Sequence, residues 1–182
     1  MKKLAILAIL AAAVAANATE VSVSGERDST QSGVSGYAVS VAQPVATGLT
    51  VNGKFENTYG AVGTNVDNYS VGAEYNVTKV GPVTLAGLGA VGYTEVQGTG
   101  SKGAYVQVGA KASTPVPFVK DLSASVALVR QLGTSAVDVF DHTEATVGVG
   151  YLVTKSVAVN ASATLYNGVP GNKATLGVSY SF

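Results

Sequence analysis

The chain has 182 residues, of which 47% are hydrophobic and only 12% are charged, with 11 basic and 11 acidic residues. Soluble proteins average about a quarter charged residues, and a chain with no net charge and no basic cluster is not expected to bind nucleic acid. There is no cysteine, so disulfides do not stabilise the fold.

The first 18 residues have the three parts of a secretory signal peptide. Met1-Lys2-Lys3 is positively charged, Leu4 to Ala15 is uninterrupted apolar sequence, and Ala16-Asn17-Ala18 is a small-x-small cleavage site. A membrane-spanning helix is the alternative, but it needs about 20 apolar residues, more than this stretch provides. We predict a cleaved signal peptide at 1–18 and one exported domain at 19–182. Loss of two lysines with the leader gives that domain a net charge of about −2.

After the leader, apolar and polar residues alternate with a period of two, the pattern of β-strands with one apolar face. In the first half these apolar faces contain Val21 and Val23; Tyr37, Val39 and Val41; Leu49, Val51, Phe55 and Tyr59; and Tyr69, Val71, Ala73, Tyr75 and Val77. The longer segments span roughly ten residues, the length that a tilted strand needs to cross a membrane. No segment shows the apolar stripe of an amphipathic helix.

The second half continues the alternation less regularly, with Leu88 on the polar face of its strand. Its apolar faces contain Val83, Leu85, Val91 and Tyr93; Val106, Val108 and Ala110; Leu122, Ala124, Val126 and Leu128; Ala145, Val147, Val149 and Tyr151; Val157, Val159, Ala161, Ala163 and Leu165; and Leu176, Val178, Tyr180 and Phe182. We predict an all-β, closed antiparallel transmembrane barrel of ten strands, because the chain offers nothing else to cover these faces. Eight strands is the alternative, since the stretch Ala104–Lys120 is ambiguous.

Two kinds of connection alternate between the predicted strands. Short connections that contain most of the prolines, which cannot donate to a sheet ladder, occur at 43–48, 78–82, 114–117 and 153–156. Connections rich in Gly, Asn, Asp, Ser and Thr occur at 28–33, 60–67, 97–102, 132–142 and 167–172. With an even strand count and a periplasmic N-terminus, the first set is predicted to face the periplasm and the second set the cell exterior.

Tyrosines mark both ends of the predicted strands. Tyr59, Tyr69 and Tyr93 fall at the loop ends, whereas Tyr75 and Tyr151, together with Tyr180 and Phe182, fall at the turn ends. Amphipathic rings at two levels are typical of the aromatic girdles of membrane barrels. The alternative is a soluble β-sandwich, in which the large residues would point inward and the glycines and serines outward.

The leader, the alternating strands, the lack of cysteine and the terminal Gly177-x-x-Tyr180-x-Phe182 resemble the small outer-membrane β-barrel proteins of Gram-negative bacteria, the OmpA-like and opacity-like barrels. In that group the last strand is the signal that the barrel assembly machinery recognises, with a polar residue, here Thr175, two positions before the glycine. The resemblance implies an integral protein of the cell outer membrane, with lipid and the assembly machinery as partners. It implies no activity.

Seven charged residues fall on the polar, inward face of the predicted barrel: Glu26, Lys54, Glu56, Glu74, Lys111, Glu144 and Lys173. Because an unpaired buried charge costs several kcal/mol, we expect ion pairs that fill the lumen and hold the strand register. The sharper hypothesis is a narrow porin-like channel for ions or small solutes. Eight strands leave an interior filled by side chains and about sixteen leave an open pore, so ten strands are near the closed end of this range. A surface-interaction or adhesion protein with an unidentified ligand, or a structural envelope protein with a closed lumen, is the alternative function.

No catalytic residue, cofactor or metal site is predicted, and the chain is not expected to be an enzyme. His142, the one histidine, is expected to be solvated in the fourth outer loop. With Asp141 it superficially resembles the Asp–His pair of the omptin proteases, but adjacent strand residues point to opposite faces. Gly87-Leu88-Gly89-Ala90-Val91-Gly92 matches the dinucleotide-binding pattern, yet a strand follows it where that pattern needs a helix.

Overall fold

The computed structural model describes residues 20–29, 35–59, 65–98, 100–133, 141–168 and 171–182, and the predicted leader at 1–18 lies outside these ranges. The strands are β1 (Glu20–Asp28), β2 (Gly36–Ala46), β3 (Leu49–Tyr59), β4 (Asn65–Val80), β5 (Val83–Val96), β6 (Lys102–Pro115), β7 (Leu122–Gly133), β8 (His142–Leu152), β9 (Val157–Asn167) and β10 (Asn172–Ser181). Within the described ranges, no helix has both the length and the apolar character needed to cross a membrane.

The ten strands form one closed antiparallel barrel, in which each strand pairs with its neighbours in sequence. β1 closes the barrel against β10, with Glu20 opposite Ser181 at one end and Asp28 opposite Lys173 at the other. The prediction of ten strands is confirmed. The eight-strand alternative is wrong because β6 pairs along most of its length with both β5 and β7, so the ambiguous stretch contains a full strand.

Large apolar residues cover the outside of the barrel. Outward-facing residues such as Val71, Val108 and Leu176 are more than half exposed, whereas the buried apolar residues of the described ranges are Ala38, Phe55, Ala86 and Tyr105. The soluble sandwich is therefore not the fold observed, since a sandwich needs its large residues between two sheets. The interior contains small and polar side chains instead.

At the loop end of the barrel, three aromatic rings pack together on the outer surface. Phe55 lies between Tyr37, with ring centroids 6.0 Å apart, and Tyr69, at 5.1 Å. The two tyrosines cover Phe55 so completely that it is only 2% exposed. Tyr69 therefore packs along the barrel wall, in addition to being at the loop-end level predicted for it.

A polar cluster lies just beyond these rings on the same outer surface. The Asp67 carboxylate accepts hydrogen bonds from Asn57 Nδ2 and Gln97 Nε2, both at 2.5 Å. Asp67, predicted to lie in a loop, belongs to β4 and is buried. The cluster links the loop ends of β3, β4 and β5, which satisfies the buried charge through charge-assisted hydrogen bonds.

The turn end of the barrel is shaped by a tight turn and two bulges. Gly48 has φ of +76°, a left-handed conformation that glycine adopts without steric cost, and it follows Thr47 in the turn between β2 and β3. The strand register shifts between Pro44 and Ala46, and again between Asn76 and Thr78. A bulge does not need the backbone N–H that Pro44 lacks. Strand β2 therefore continues to Ala46, into the connection predicted at 43–48.

Candidate functional site

The lumen contains two cavities of different volume. A wide vestibule of about 1310 Å³ opens at the turn end, and a smaller outer cavity of about 230 Å³ lies towards the loop end. Small polar side chains and glycines cover much of the vestibule wall: Ser22, Ser24, Ser123, Ser125, Gly148, Gly150, Asn160, Ser162 and Thr175. Because these side chains are short, the wall leaves space for water.

Four charged residues near the loop end form what we call the outer network: Glu26, Lys54, Glu56 and Lys173. The ammonium group of Lys173 lies 3.5 Å from Glu26 Oε1 and 3.0 Å from Glu56 Oε1, and Lys54 also pairs with Glu56. These contacts connect β10, β1 and β3 across the interior. Each charged group of the network therefore has a partner of opposite sign, as the low-dielectric wall of the barrel requires.

Strand β2 makes room for this network by presenting small inward residues. Gly36 lies opposite Glu26 of β1, and Ala38 lies opposite Glu56 of β3. Since neither residue has a side chain beyond Cβ, Lys173 reaches past β2 to Glu56. Ala38 is only 4% exposed, so the network covers the wall at this point.

The outer cavity is lined by planar polar and aromatic side chains next to the network. These residues are Asn68, Ser70, Tyr105, Gln107, Gln131, His142, Glu144 and Tyr166, together with Lys54, Glu56 and Lys173. Gln107 Nε2 donates to Gln131 Oε1 at 2.9 Å, and the rings of His142 and Tyr166 meet edge to face at 5.5 Å. The cavity wall is therefore held in place by contacts among its own side chains.

Tyr105 narrows the lumen by lying against the inner wall of the barrel. Its ring occupies the space where a side chain on Gly92 would stand, and Tyr105 is only 3% exposed. Gly92 and Tyr105 face each other on β5 and β6. The last glycine of the dinucleotide-like pattern thus permits close approach of an aromatic ring, which is a packing role.

His142 is not the solvated loop residue that the sequence predicts. It is the first residue of β8, it is 9% exposed, and its Nε2 lies 2.8 Å from Glu144 Oε1 inside the lumen. The Asp141 carboxylate instead accepts from the Gly133 amide at 2.6 Å and lies 3.6 Å from the guanidinium of Arg130. Strand β8 begins earlier than predicted because it continues to pair with β7 up to Gln131.

Of the remaining lumen charges, the Glu74–Lys111 pair lies apart from the outer network, whereas Glu144 lines the cavity beside it. Lys111 Nζ lies 2.9 Å from Glu74 Oε2, and both side chains are about one third exposed beside the vestibule. The seven charged residues selected from the sequence thus fall into the outer network, the Glu74–Lys111 pair and Glu144, whose described partner is His142. In the described part of the chain, no three His, Cys, Asp or Glu residues are grouped so that they could hold a metal ion.

The tyrosines selected as girdle residues lie on the outer surface at two levels. Tyr59 and Tyr93 are exposed near the loops, and Tyr75 and Tyr151 near the turns. In the last strand, Tyr180 and Phe182 point outward with ring centroids 4.9 Å apart. Thr175 and Gly177 lie on the inner face, where Gly177 is opposite Ser24 of β1.

Sequence reasoning did not select seven residues that line the outer cavity: Asn68, Ser70, Tyr105, Gln107, Gln131, His142 and Tyr166. Alternation along the strands was the signal available for six of them, because it assigns a residue to the inner or outer face. That signal does not distinguish a cavity-lining glutamine from any other inward polar residue. For His142 this signal was missing, because the sequence placed residue 142 in a connection and not in β8.

Comparisons with known proteins support the fold. No protein-family profile and no curated protein sequence matches this chain. Among solved structures, a KdgM porin matches with 12% identity over 90% of this chain and 99% of its own length, with a TM-score of 0.52. A NanC porin matches with 14% identity over 89% of this chain and 100% of its own, with a TM-score of 0.50. The chain thus shares the closed antiparallel barrel of these outer-membrane porins.

Proposed function

We propose that this protein is an integral outer-membrane barrel that forms a narrow, porin-like channel for ions or small solutes. The observation that carries the proposal is the polar lumen, in which a vestibule of about 1310 Å³ leads towards a cavity of about 230 Å³. An interior built only for stability would be filled by its side chains, as in the smallest barrels. Such a lumen has room for water and for ions or small solutes dissolved in it.

The outer surface supports placement in a membrane. Exposed apolar residues such as Val91, Val147 and Leu165 occur on strands all around the barrel. In water such a surface would drive association, whereas in a bilayer it faces hydrocarbon and every backbone group remains paired within the closed sheet. We propose that the turn end faces the periplasm and the loop end the cell exterior, with the predicted leader directing export.

The outer network limits how large a solute passes. Glu26, Glu56 and Lys173 are at most 16% exposed and cross the lumen from β10 to β3. A general porin with a wide aqueous pore is therefore not proposed. The narrow section should therefore admit smaller species than the vestibule, whose short serine and glycine side chains leave more space.

Single-channel recording in planar bilayers tests the channel, and the absence of cysteine makes a sharp control available. Gln107→Cys places a thiol in the outer cavity, and the adjacent Val106→Cys places one on the exposed outer surface. A charged methanethiosulfonate reagent should reduce the current of Gln107→Cys and leave that of Val106→Cys unchanged. A heat-dependent shift in gel mobility verifies that each sample is folded.

Absence of current through folded protein would refute the channel. The protein would then be better described as a surface-interaction protein or a structural envelope protein with a closed lumen.

We also propose that the last strand, with Thr175, Gly177, Tyr180 and Phe182, is the signal read by the barrel assembly machinery. The outward pair Tyr180 and Phe182 supports this because it offers an exposed aromatic contact at the turn end.

A further inference from the structure

The carboxylates of the outer network already occupy both of its ammonium groups. Lys173 is shared by Glu26 and Glu56, at 3.5 and 3.0 Å, and Lys54 pairs with Glu56. Within the described ranges, neither lysine forms an ion pair with a residue outside the network. Any further acidic group on this part of the lumen wall therefore lacks an ammonium partner of its own.

Glu144 is that further acidic group. It lines the outer cavity, its side chain is 22% exposed, and the partner of its carboxylate is the imidazole of His142 at 2.8 Å. Among the residues that the structure describes, neither lysine nor arginine forms an ion pair with it. A hydrogen bond from a neutral imidazole satisfies one carboxylate oxygen but leaves its negative charge in place.

His142, which lines the outer cavity, and Glu26 of the adjacent outer network each have one buried acceptor atom with no hydrogen-bond partner among the residues that the structure describes. These atoms are Glu26 Oε2 and His142 Nδ1. In a neutral His142 ring, Nε2 must carry the proton that the Glu144 carboxylate accepts, and Nδ1 then offers a lone pair. Glu26 is 3% exposed and His142 9%, so few water molecules reach either atom. The described residues thus supply no donor to either of these two acceptor atoms.

The vestibule, in contrast, carries no excess of negative charge like the one that Glu144 leaves in the outer cavity. Glu74 and Lys111 neutralise each other at 2.9 Å, and the mouth of the vestibule carries two acidic residues, Glu20 and Asp121, and two basic ones, Lys79 and Lys120. Charges at a wide, water-filled mouth are also screened over about 8–10 Å at physiological ionic strength. Ion preference is thus determined where the lumen is narrow.

Building on the channel function proposed above, we infer that the outer cavity is a cation site, and that Glu144 makes the channel prefer small cations over anions. One uncompensated charge about 6 Å from a permeating ion, in a water-like dielectric, enriches cations about three-fold and depletes anions about as much. Salt reduces this effect. The expected ratio of potassium to chloride permeability is on the order of 3 to 10.

The reversal potential of the folded protein in a potassium chloride gradient at pH 8 measures this ratio directly. The wild-type protein should prefer potassium, Glu144→Gln should reduce the ratio to near 1, and Glu144→Asp should retain a preference. Glu95→Gln is the matched control, because it removes the same charge from an exposed position on the outer surface of β5. It should leave the ratio unchanged.

The outcomes separate the two proposals. Current with no preference, or with a preference for chloride, overturns the cation site while leaving the channel intact. A potassium preference that persists in Glu144→Gln overturns the role of Glu144. Absence of current through folded wild-type protein refutes the channel, and the cation preference with it.

Discussion

The outer network offers the sharpest test of how this barrel is stabilised, through the substitution Lys173→Met. Methionine keeps much of the length of the side chain but removes the ammonium group that lies 3.5 Å from Glu26 and 3.0 Å from Glu56. The three side chains are 16%, 2% and 13% exposed, respectively. The variant therefore leaves two carboxylates facing each other with little access to water.

The expected loss of stability in Lys173→Met follows from the burial of these three side chains. Removing one partner of a buried ion pair costs about 3–5 kcal/mol, and the lower end applies because Lys54 still pairs with Glu56. We expect the free energy of unfolding to fall by about 3 kcal/mol. With a denaturant dependence of about 2 kcal/mol per molar urea, the midpoint should fall by about 1.5 M.

Urea unfolding from lipid vesicles, followed by far-UV circular dichroism, measures the midpoint. Lys111→Met is the matched control, since Lys111 and Glu74 also form an ion pair but are 32% and 28% exposed. Partly solvated pairs contribute about 1 kcal/mol or less, so the control should lower the midpoint by less than about 0.5 M. Combining Glu56→Gln with Lys173→Met should cost less than the sum of the two single changes, since the two groups interact directly.

Equal destabilisation by Lys173→Met and Lys111→Met would contradict this reasoning. It would mean that water solvates the outer network as well as it solvates the vestibule pair. Lys173 would then lie close to Glu26 and Glu56 without a strong electrostatic interaction with either of them.

Two further predictions concern the outer surface and the last strand. Val108→Lys, at a 54% exposed position on β6, should lower the free energy of unfolding in vesicles by about 2 kcal/mol. Ser125→Lys in the vestibule should lower it by less than about 1 kcal/mol. Equal urea midpoints for the two variants would contradict a lipid-facing outer surface. Phe182→Ser should lower the fraction of chain assembled in the outer membrane, measured by gel mobility of membrane fractions, and the same substitution at the exposed turn residue Phe118 should not. Equal assembly of both variants would exclude the terminal aromatic as part of the signal.

The alternation of apolar and polar residues was sufficient to predict the fold. Strands with one apolar face must cover it, and ten such strands with no predicted helix to pack on them make lipid the expected cover; closing the sheet then pairs its two edges. The bounds were less accurate, because strand pairing extends beyond the alternating pattern. Pro44, Asp67 and His142 lie within strands although local residue preferences predict connections there.

Tertiary structure decided which side chains of the lumen meet. Lys173 and Glu56 are 117 residues apart in the chain, and their contact depends on how β10, β1, β2 and β3 are staggered and curved. Alternation assigns a residue to a face, but it does not specify the height in the barrel or the opposite wall. The pairing of Glu144 with His142, and thus the charge that it leaves in the cavity, likewise depends on where β8 begins. Within the alternating segments, the sequence by itself determined the direction of the side chains because that is a local property of a strand, whereas distances across the lumen exist only once the barrel has closed.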